Sequence, residues 1–342
     1  MLAPKETSRS RQASAAARSP RRIVYAEGEA ERVLHCAQQA LSLGIAEPIL
    51  IGDAGRIAER IKALGLRIEP GKDVTIVDPN RIDVESYAAE LHKRVGRMGV
   101  AAKEALRRVR ADPTVLACLM LARGEAVAAI CGSGGRFGHH LQRLESILGK
   151  RPGVHALSTL NAVVLPQATI FIADAYVTLD PSPEEIADLT ELAAETMRRM
   201  GVTPCAALVS HANFGDRPSA SSEKMRAAMA ILRARGPDFE VDGEMHADAA
   251  LDPKLRARAY AHSPLTGAAN LLIMPNADAA HVALNLLKVL GGGIPVGPIL
   301  MGAGKPAHIA SQSVTVRGLL NLTALAVVES QGDRPDMRAA AE

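Results

Sequence analysis

Four stretches of this 342-residue sequence bring together side chains of the types and spacing that chemistry needs. The apolar run Val127–Cys131 opens into Gly132-Ser133-Gly134-Gly135-Arg136. A guanidinium placed after a strand and a glycine-rich turn can clamp a phosphate, or it can form a surface ion pair. Ser210, His211 and Asn213 follow a second apolar run, where they either line a cleft or serve as structural hydrogen-bonding groups. Asp242, Glu244, His246 and Asp248 alternate, which would put all four on one face of a strand and suit a cation geometrically. The other reading of that cluster is buried hydrogen bonding between two domains. Lys305-Pro306 ends a glycine-rich stretch, Gly297–Gly304, and offers either a cation for a phosphate or a solvated lysine before a rigid turn.

These groups need strands and helices to hold them. Arg22–Ala26 reads as a first strand, Glu29–Leu43 as an amphipathic helix ended by Gly44, and Pro48–Gly52 as a second strand. Ala54–Leu64 is a second helix and Val74–Val77 a third strand. Helical stretches then cover Val84–Val95, Ala101–Arg110 and Pro113–Arg123. After a boundary near 150–154 a second series begins. It has strands at Ala162–Leu165, Thr169–Ala173, Ala206–Ser210, Phe239–Val241 and Leu271–Met274. Its helices are Pro183–Met200, Ser219–Ala234 and Ala279–Leu290, and an apolar helix at Arg317–Glu329 follows near the C-terminus. Strand–helix alternation of this kind predicts an α/β fold: two α/β domains with parallel or mixed sheets around a cleft. The glycine-rich turns after Cys131 and around Gly297–Gly304 are expected to wall that cleft, because open α/β sheets bind ligands beyond the carboxyl ends of their strands. No Gly-x-Gly-x-x-Gly run follows the first strand, so nothing supports a nicotinamide site.

Composition narrows the function classes. Apolar residues make up 48% of the chain but aromatics only 2%, with no tryptophan, so Ala, Leu, Val and Ile must fill the core. So few aromatic faces argue against single-strand nucleic-acid binding. The net charge of +3 hides an uneven distribution: the first 22 residues hold six basic side chains and one acidic, a balance of +5, so the rest carries −2. A near-neutral body gives no electrostatic case for a polyanionic partner. Four cysteines (Cys36, Cys118, Cys131, Cys205) form no Cys-x-x-Cys pair, which argues against zinc and disulfides and fits a cytoplasmic setting. No apolar run reaches the roughly 20 residues of a membrane span. Residues 1–20 are basic and rich in Ser and Ala, and read as a disordered tail.

Several blocks, taken in order, carry a resemblance. They are Ile23–Glu29 with Arg32-Val33-Leu34, Leu208–Gly215, Val241–Ala250, Ala269–Asn276 and Gly297–Ile309. Together they resemble the phosphate acetyl/butyryl transferase family from about residue 20 to 331. The closer likeness is to the C-terminal phosphotransacetylase-like domain of large NADP-dependent malic enzymes. The resemblance implies an isocitrate/isopropylmalate dehydrogenase-like fold, with a first domain of residues 21–150 plus 302–331, a second of 151–301, and a frayed end at 332–342. It also implies coenzyme A or acetyl-CoA as ligand, no covalently bound cofactor, no metal, and pairing through the second domain. The ligand-binding positions it points to are Arg136, Ser210, Asn213, Gly302, Lys305, Ser311 and Gln312.

The family pattern is broken where its charges belong. Its serine–arginine pair is Ser311-Gln312 here, and the aspartate six residues past that arginine is Gly318. Another phosphate arginine falls near Gln142, with Arg143 beside it. Ser311 can orient a ligand or cap the last helix, while Arg317 stands next to the missing acid. Acyl transfer to phosphate needs a cation, a base for the thiol and an oxyanion donor, so Ser311, Gln312 and Gly318 form a degenerate catalytic set. The expectation is a domain that binds acetyl-CoA as an allosteric and oligomerising module with little turnover, working beside malic-enzyme catalytic domains if part of a longer chain. The alternative is an active phosphate acetyltransferase. A metal-dependent dehydrogenase or decarboxylase of related architecture rests only on residues 242–248. Helix Ala279–Leu290 is apolar nearly all round, which predicts a homo-oligomer.

Overall fold

A computed structural model describes residues 21–332; the basic tail 1–20 and the expected fraying at 333–342 lie outside the described residues. The chain divides into two compact units, one running to Pro152 and resuming at Ala303, the other Gly153–Gly302.

The first unit alternates strand and helix. Strand β1 (Arg21–Tyr25) leads to helix α1 (Glu31–Ser42), β2 (Ala46–Ile51) to α2 (Ala54–Ala63), and β3 (Thr75–Val77) to α3 (Val84–Val95). Helices α4 (Ala102–Ala111) and α5 (Pro113–Arg123) precede β4 (Ala128–Cys131), and α6 (Phe137–Leu148) follows it. After the second unit the chain returns as β11 (Ala307–Ile309) and α12 (Val316–Gly332). Side-chain caps explain why helix starts were readable. Asp53, Asp83 and Asp112 accept first-turn amides of α2, α3 and α5, and Pro113 stands where its missing N–H costs nothing. Helix α5 is buried from Thr114 to Leu121 because it packs against β1, β2 and β4 as well as its neighbouring helices. The sheet is wholly parallel in the order β11-β4-β1-β2-β3. Strand β1 sends its chain to β2 on one side and has β4 on the other, so the order reverses at the β1/β4 boundary, the point where α/β sheets open a ligand crevice. Helix α12 covers α1, and the buried Tyr25 hydroxyl meets Thr323 Oγ1 at 2.8 Å, tying the returning segment to the first strand.

The second unit holds a six-stranded mixed sheet, β10-β5-β6-β9-β7-β8. Its strands are β5 (Ser158–Val164), β6 (Thr169–Ala173), β7 (Cys205–Val209), β8 (Glu240–Met245), β9 (Leu271–Ile273) and β10 (Ile294–Met301). Its helices are α7 (Pro183–Arg199), α8 (Ala220–Arg235), α9 (Ala247–Leu251), α10 (Pro253–Ala259) and α11 (Ala277–Val289). Strands β6 to β8 run parallel, and β5 pairs antiparallel with both β6 and β10.

Three sequence expectations need correction. Gly297–Met301 is not a turn but the end of β10, which tolerates Pro295, Gly297 and Pro298 because it is an edge strand with a register shift between Val296 and Ile299. Helix α6 was not foreseen: a glycine-rich turn precedes it and no side chain caps it, although Leu144 and Ile147 give it a buried stripe. Gly332, expected at the frayed end, still belongs to the last helix.

Candidate functional site

In the first unit the loops at the carboxyl ends of β1, β4 and β11 meet around one turn. Glu27, just past β1, accepts hydrogen bonds from Gly132 N at 3.0 Å, Ser133 N at 3.4 Å and Ser133 Oγ at 3.2 Å. The three following carbonyls each take a side-chain donor. Arg32 donates to Ser133 O at 3.3 Å, His140 Nε2 to Gly134 O at 2.7 Å, and Gln312 Nε2 to Gly135 O. With Nε2 donating, His140 Nδ1 accepts from the Thr114 hydroxyl at 2.8 Å. Arg32 also reaches the carbonyls of Gln312 at 2.7 Å and Val314 at 2.8 Å, clipping the β11–α12 loop to the same place. The carbonyls of residues 133–135 are thus all claimed. The N–H groups of Gly134, Gly135 and Arg136 meet no acceptor among the described residues.

The glycines of this turn are conformational requirements. Gly132 has φ +86° and a Cβ there would lie 2.6 Å from Ala310 O. Gly135 has φ +83° and would press on His140. By contrast Gly134 faces open space. Burial pushes the Glu27 carboxyl above the ordinary range, an effect opposed by the Gly132 amide, the neighbouring His140 and Ser133. Beside it, a cleft of about 420 Å³ is lined by Glu27, Gly28, Asp53, Arg56, Asn80 and Arg110 among others, a size that holds small ligands.

Of the sequence candidates of this unit, Gln312 reaches that turn and Arg136 follows it, whereas Lys305 lies at the amino end of β11, the far end of the sheet from it. Arg136 is exposed and makes no ion pair among the described residues. Lys305 is half-buried and precedes β11. Arg143 is bound by Asp112 at 3.0 Å, with Gln142 beside it. Ser311 does not cap α12: Thr315 does, accepting Gly318 N at 3.0 Å, while Ser311 Oγ lies 3.3 Å from Ser313 Oγ. Gly318 sits in the first turn of α12, where a Cβ would meet Val314 Cγ2 at 2.9 Å. Arg317 is exposed beside it, and Gln312 precedes the helix.

In the second unit Ser210, His211 and Asn213 follow the carboxyl end of β7. Ser210 is buried, and its hydroxyl meets no partner among the described residues. Asn213 Oδ1 accepts His246 N at 2.9 Å, and His246 Nε2 donates to His211 O at 2.9 Å. Gly302, at φ +84°, ends the stretch after β10, where a Cβ would meet Val154 at 2.7 Å. The 242–248 alternation fails because β8 stops at Met245. Asp242 and Glu244 are buried, whereas His246 precedes α9 and Asp248 lies exposed on it. The partners of Asp242 and Glu244 lie within the second unit. Asp242 accepts Arg233 at 2.9 Å, and Glu244 accepts Gly215 N at 2.8 Å with Arg226 3.5 Å away. Among the described residues no group of three or more His, Cys, Asp or Glu side chains is arranged to hold a metal ion.

The cysteines are not poised for chemistry. All four are free, and burial pushes Cys36 up to about 11 and Cys118 and Cys131 further. Cys205 rises to about 11 through burial and the adjacent Glu240. A raised thiol stays protonated and unreactive near neutral pH.

Sequence reasoning singled out neither Glu27 nor Arg32 as site residues, though both stand in the first motif block, and it passed over His140 and Thr114. An acid directly after the first strand of an α/β unit was the available signal for Glu27. Nothing local marked His140, whose role depends on a helix that the pattern did not reveal.

Comparison with known proteins follows the same lines. The family model for phosphate acetyl/butaryl transferase matches residues 9–327. An NADP-dependent malic enzyme of Salmonella typhimurium is 44% identical over 93% of this chain, which spans only 42% of that relative's length. A phosphate acetyltransferase of Paracoccus denitrificans is 31% identical, covering 91% of this chain and 95% of its own. Among solved structures, a phosphotransacetylase from Streptococcus pyogenes superposes with a TM-score of 0.88 at 23% identity, covering 97% of this chain and all of that one. That last likeness speaks to the fold alone.

Proposed function

The chain belongs to the phosphate acetyl/butaryl transferase family, and from that premise we propose that it is a phosphotransacetylase-like domain that binds acetyl-CoA while transferring little or no acetyl. The observation that carries this reading is the state of Gln312. Its side chain carries no charge and spends its amide on Gly135 O. Gly318 has no side chain to serve as a base. The unclaimed amides of Gly134, Gly135 and Arg136, with the Arg136 guanidinium, offer donors to a phosphate group of the nucleotide. Such contacts hold ground state and transition state alike, so they give affinity without rate. By kinship with malic enzymes, the domain would serve as an acetyl-CoA-responsive regulatory and assembly module beside malate-oxidising catalytic domains in the cytoplasm.

Assembly has its own support. Val282, Leu286 and Val289 on α11, and Leu290 just past its end, are each more than half exposed, while Ala280 and Leu284 are buried. An apolar stripe of that kind suits a second copy of the chain. Replacing Leu286 and Val289 with glutamate should shift sedimentation to a lower mass without lowering the melting temperature.

A second reading, active phosphate acetyltransfer, draws on Glu27. Its carboxyl is half-buried, stands at the sheet's switch point, and is held above the ordinary range, which is how a general base can be tuned. Calorimetric titration with acetyl-CoA tests the binding common to both readings. A measurable Kd is expected, and no heat at millimolar ligand would overturn both.

A further inference from the structure

We infer that Gln312 is a positioning residue and not a ligand donor: it latches the β11–α12 loop to the β4–α6 turn, so that the two loops hold one geometry. The inference deepens the proposed acetyl-CoA site and rests on that reading for its ligand. Its geometry is independent of any ligand.

Gln312 is held at both ends. Its carbonyl accepts Arg32 at 2.7 Å, and its side-chain amide donates to Gly135 O. Arg32 spans the same two segments, reaching Val314 O on one and Ser133 O on the other. The latch therefore joins residues 133–135 to residues 312–314 by two routes, one through a guanidinium from α1 and one through Gln312. The backbone adds a third tie at its base, where Ala310 N donates to Cys131 O at 2.7 Å. With the Gly135 carbonyl claimed in this way, the peptide plane that follows is fixed. That plane carries the Arg136 N–H, one of the three amides left without an acceptor. Losing the Gln312 donor frees the Gly135 carbonyl to rotate, and the N–H direction rotates with it.

A glutamine side chain that contacts ligand directly and one that positions a turn differ in which replacements they tolerate. A positioning role needs a donor aimed at Gly135 O, so arginine can replace glutamine while alanine and glutamate cannot. Glutamate also sets a carboxylate against a carbonyl oxygen. Gln312 is exposed, so none of these replacements disturbs the core.

The test is hydrogen–deuterium exchange on the full chain without ligand, comparing wild type with Gln312→Ala, Gln312→Glu and Gln312→Arg. It is read at peptides covering 132–136 and 311–315, through their bonded amides Gly132, Ser133 and Val314. The Ala and Glu variants should speed exchange in both peptides by about fivefold, the scale of one net hydrogen bond, while Gln312→Arg stays near wild type. Acetyl-CoA affinity by calorimetry should fall in the same order. Unchanged exchange in the Ala and Glu variants overturns the inference. So does faster exchange confined to 311–315, since the loops would then not be coupled. If exchange follows the expected order but the wild type binds no acetyl-CoA, the latch stands and the ligand reading falls.

Discussion

The two units differ in how much of a strand-end turn their own side chains satisfy. In the second unit the turns' N–H groups are claimed by its own side-chain oxygens. Asp174 accepts the amides of Tyr176 at 3.0 Å, Val177 at 3.3 Å and Thr178 at 3.0 Å, and the Thr159 hydroxyl as well. Glu244 takes Gly215 N and Asn213 takes His246 N. In the first unit Glu27 likewise holds Gly132 N and Ser133 N, but side-chain donors claim the carbonyls of residues 133–135 and the amides of residues 134–136 stay open. A rim whose N–H groups already hold carboxylates has little left for an anion, whereas a rim with its carbonyls covered presents donors. The proposed phosphate contacts therefore belong to the first unit, while the Asp174 turn of the second is satisfied by its own carboxylate.

The sharpest way to break this contrast is to remove a resident carboxylate. Asp174→Ala strips four hydrogen bonds from a buried turn and should cost about 3 kcal/mol in urea unfolding, yet leave acetyl-CoA affinity within about twofold, since ordinary scatter in such comparisons is of that order. Loss of binding in step with stability would erase the division of labour.

On the other side of the comparison, Gly132→Ala should cost about 2–3 kcal/mol, through a left-handed backbone and a contact with Ala310 O. Gly134→Ala, two residues on and facing open space, should cost less than about 1 kcal/mol. Equal costs would mean that the turn is not held as described.

A smaller effect concerns pH. Burial raises the folded Glu27 carboxyl above its unfolded value, so the native state holds a proton that the unfolded chain has already released. Stability contributed this way is present at low pH and declines as pH rises from the ordinary carboxylate range through the raised value. The melting temperature of wild type relative to Glu27→Gln should therefore fall over that window. A difference that stays flat, or rises, would contradict the assigned environment.

Most of the fold was legible because its signals are local. Asp53, Asp83, Asp112 and Ser182 announce helix starts, and apolar runs such as Ile49–Ile51 announce strands. Strand β10 escaped because Pro295, Gly297 and Pro298 read as a turn, and only an edge position with a register shift accommodates them. The site was less legible, since it is made of backbone groups. Arg32, His140 and Gln312 are separated by more than 100 residues and converge only because β1, β4 and β11 are neighbours in the sheet. The 242–248 alternation misled for the converse reason: the strand that would have aligned those four side chains ends at Met245.

Acetyl phosphate formation and its reverse test the central claim most directly. The unmodified protein would be given acetyl phosphate and coenzyme A, with acetyl-CoA formation and thiol consumption followed, alongside a calorimetric titration of acetyl-CoA under the same conditions. The expected result is saturable acetyl-CoA binding with turnover near background. Turnover of about one per second or faster, within the ordinary range of enzymes, would contradict the account and make Glu27 the first residue to test as the base.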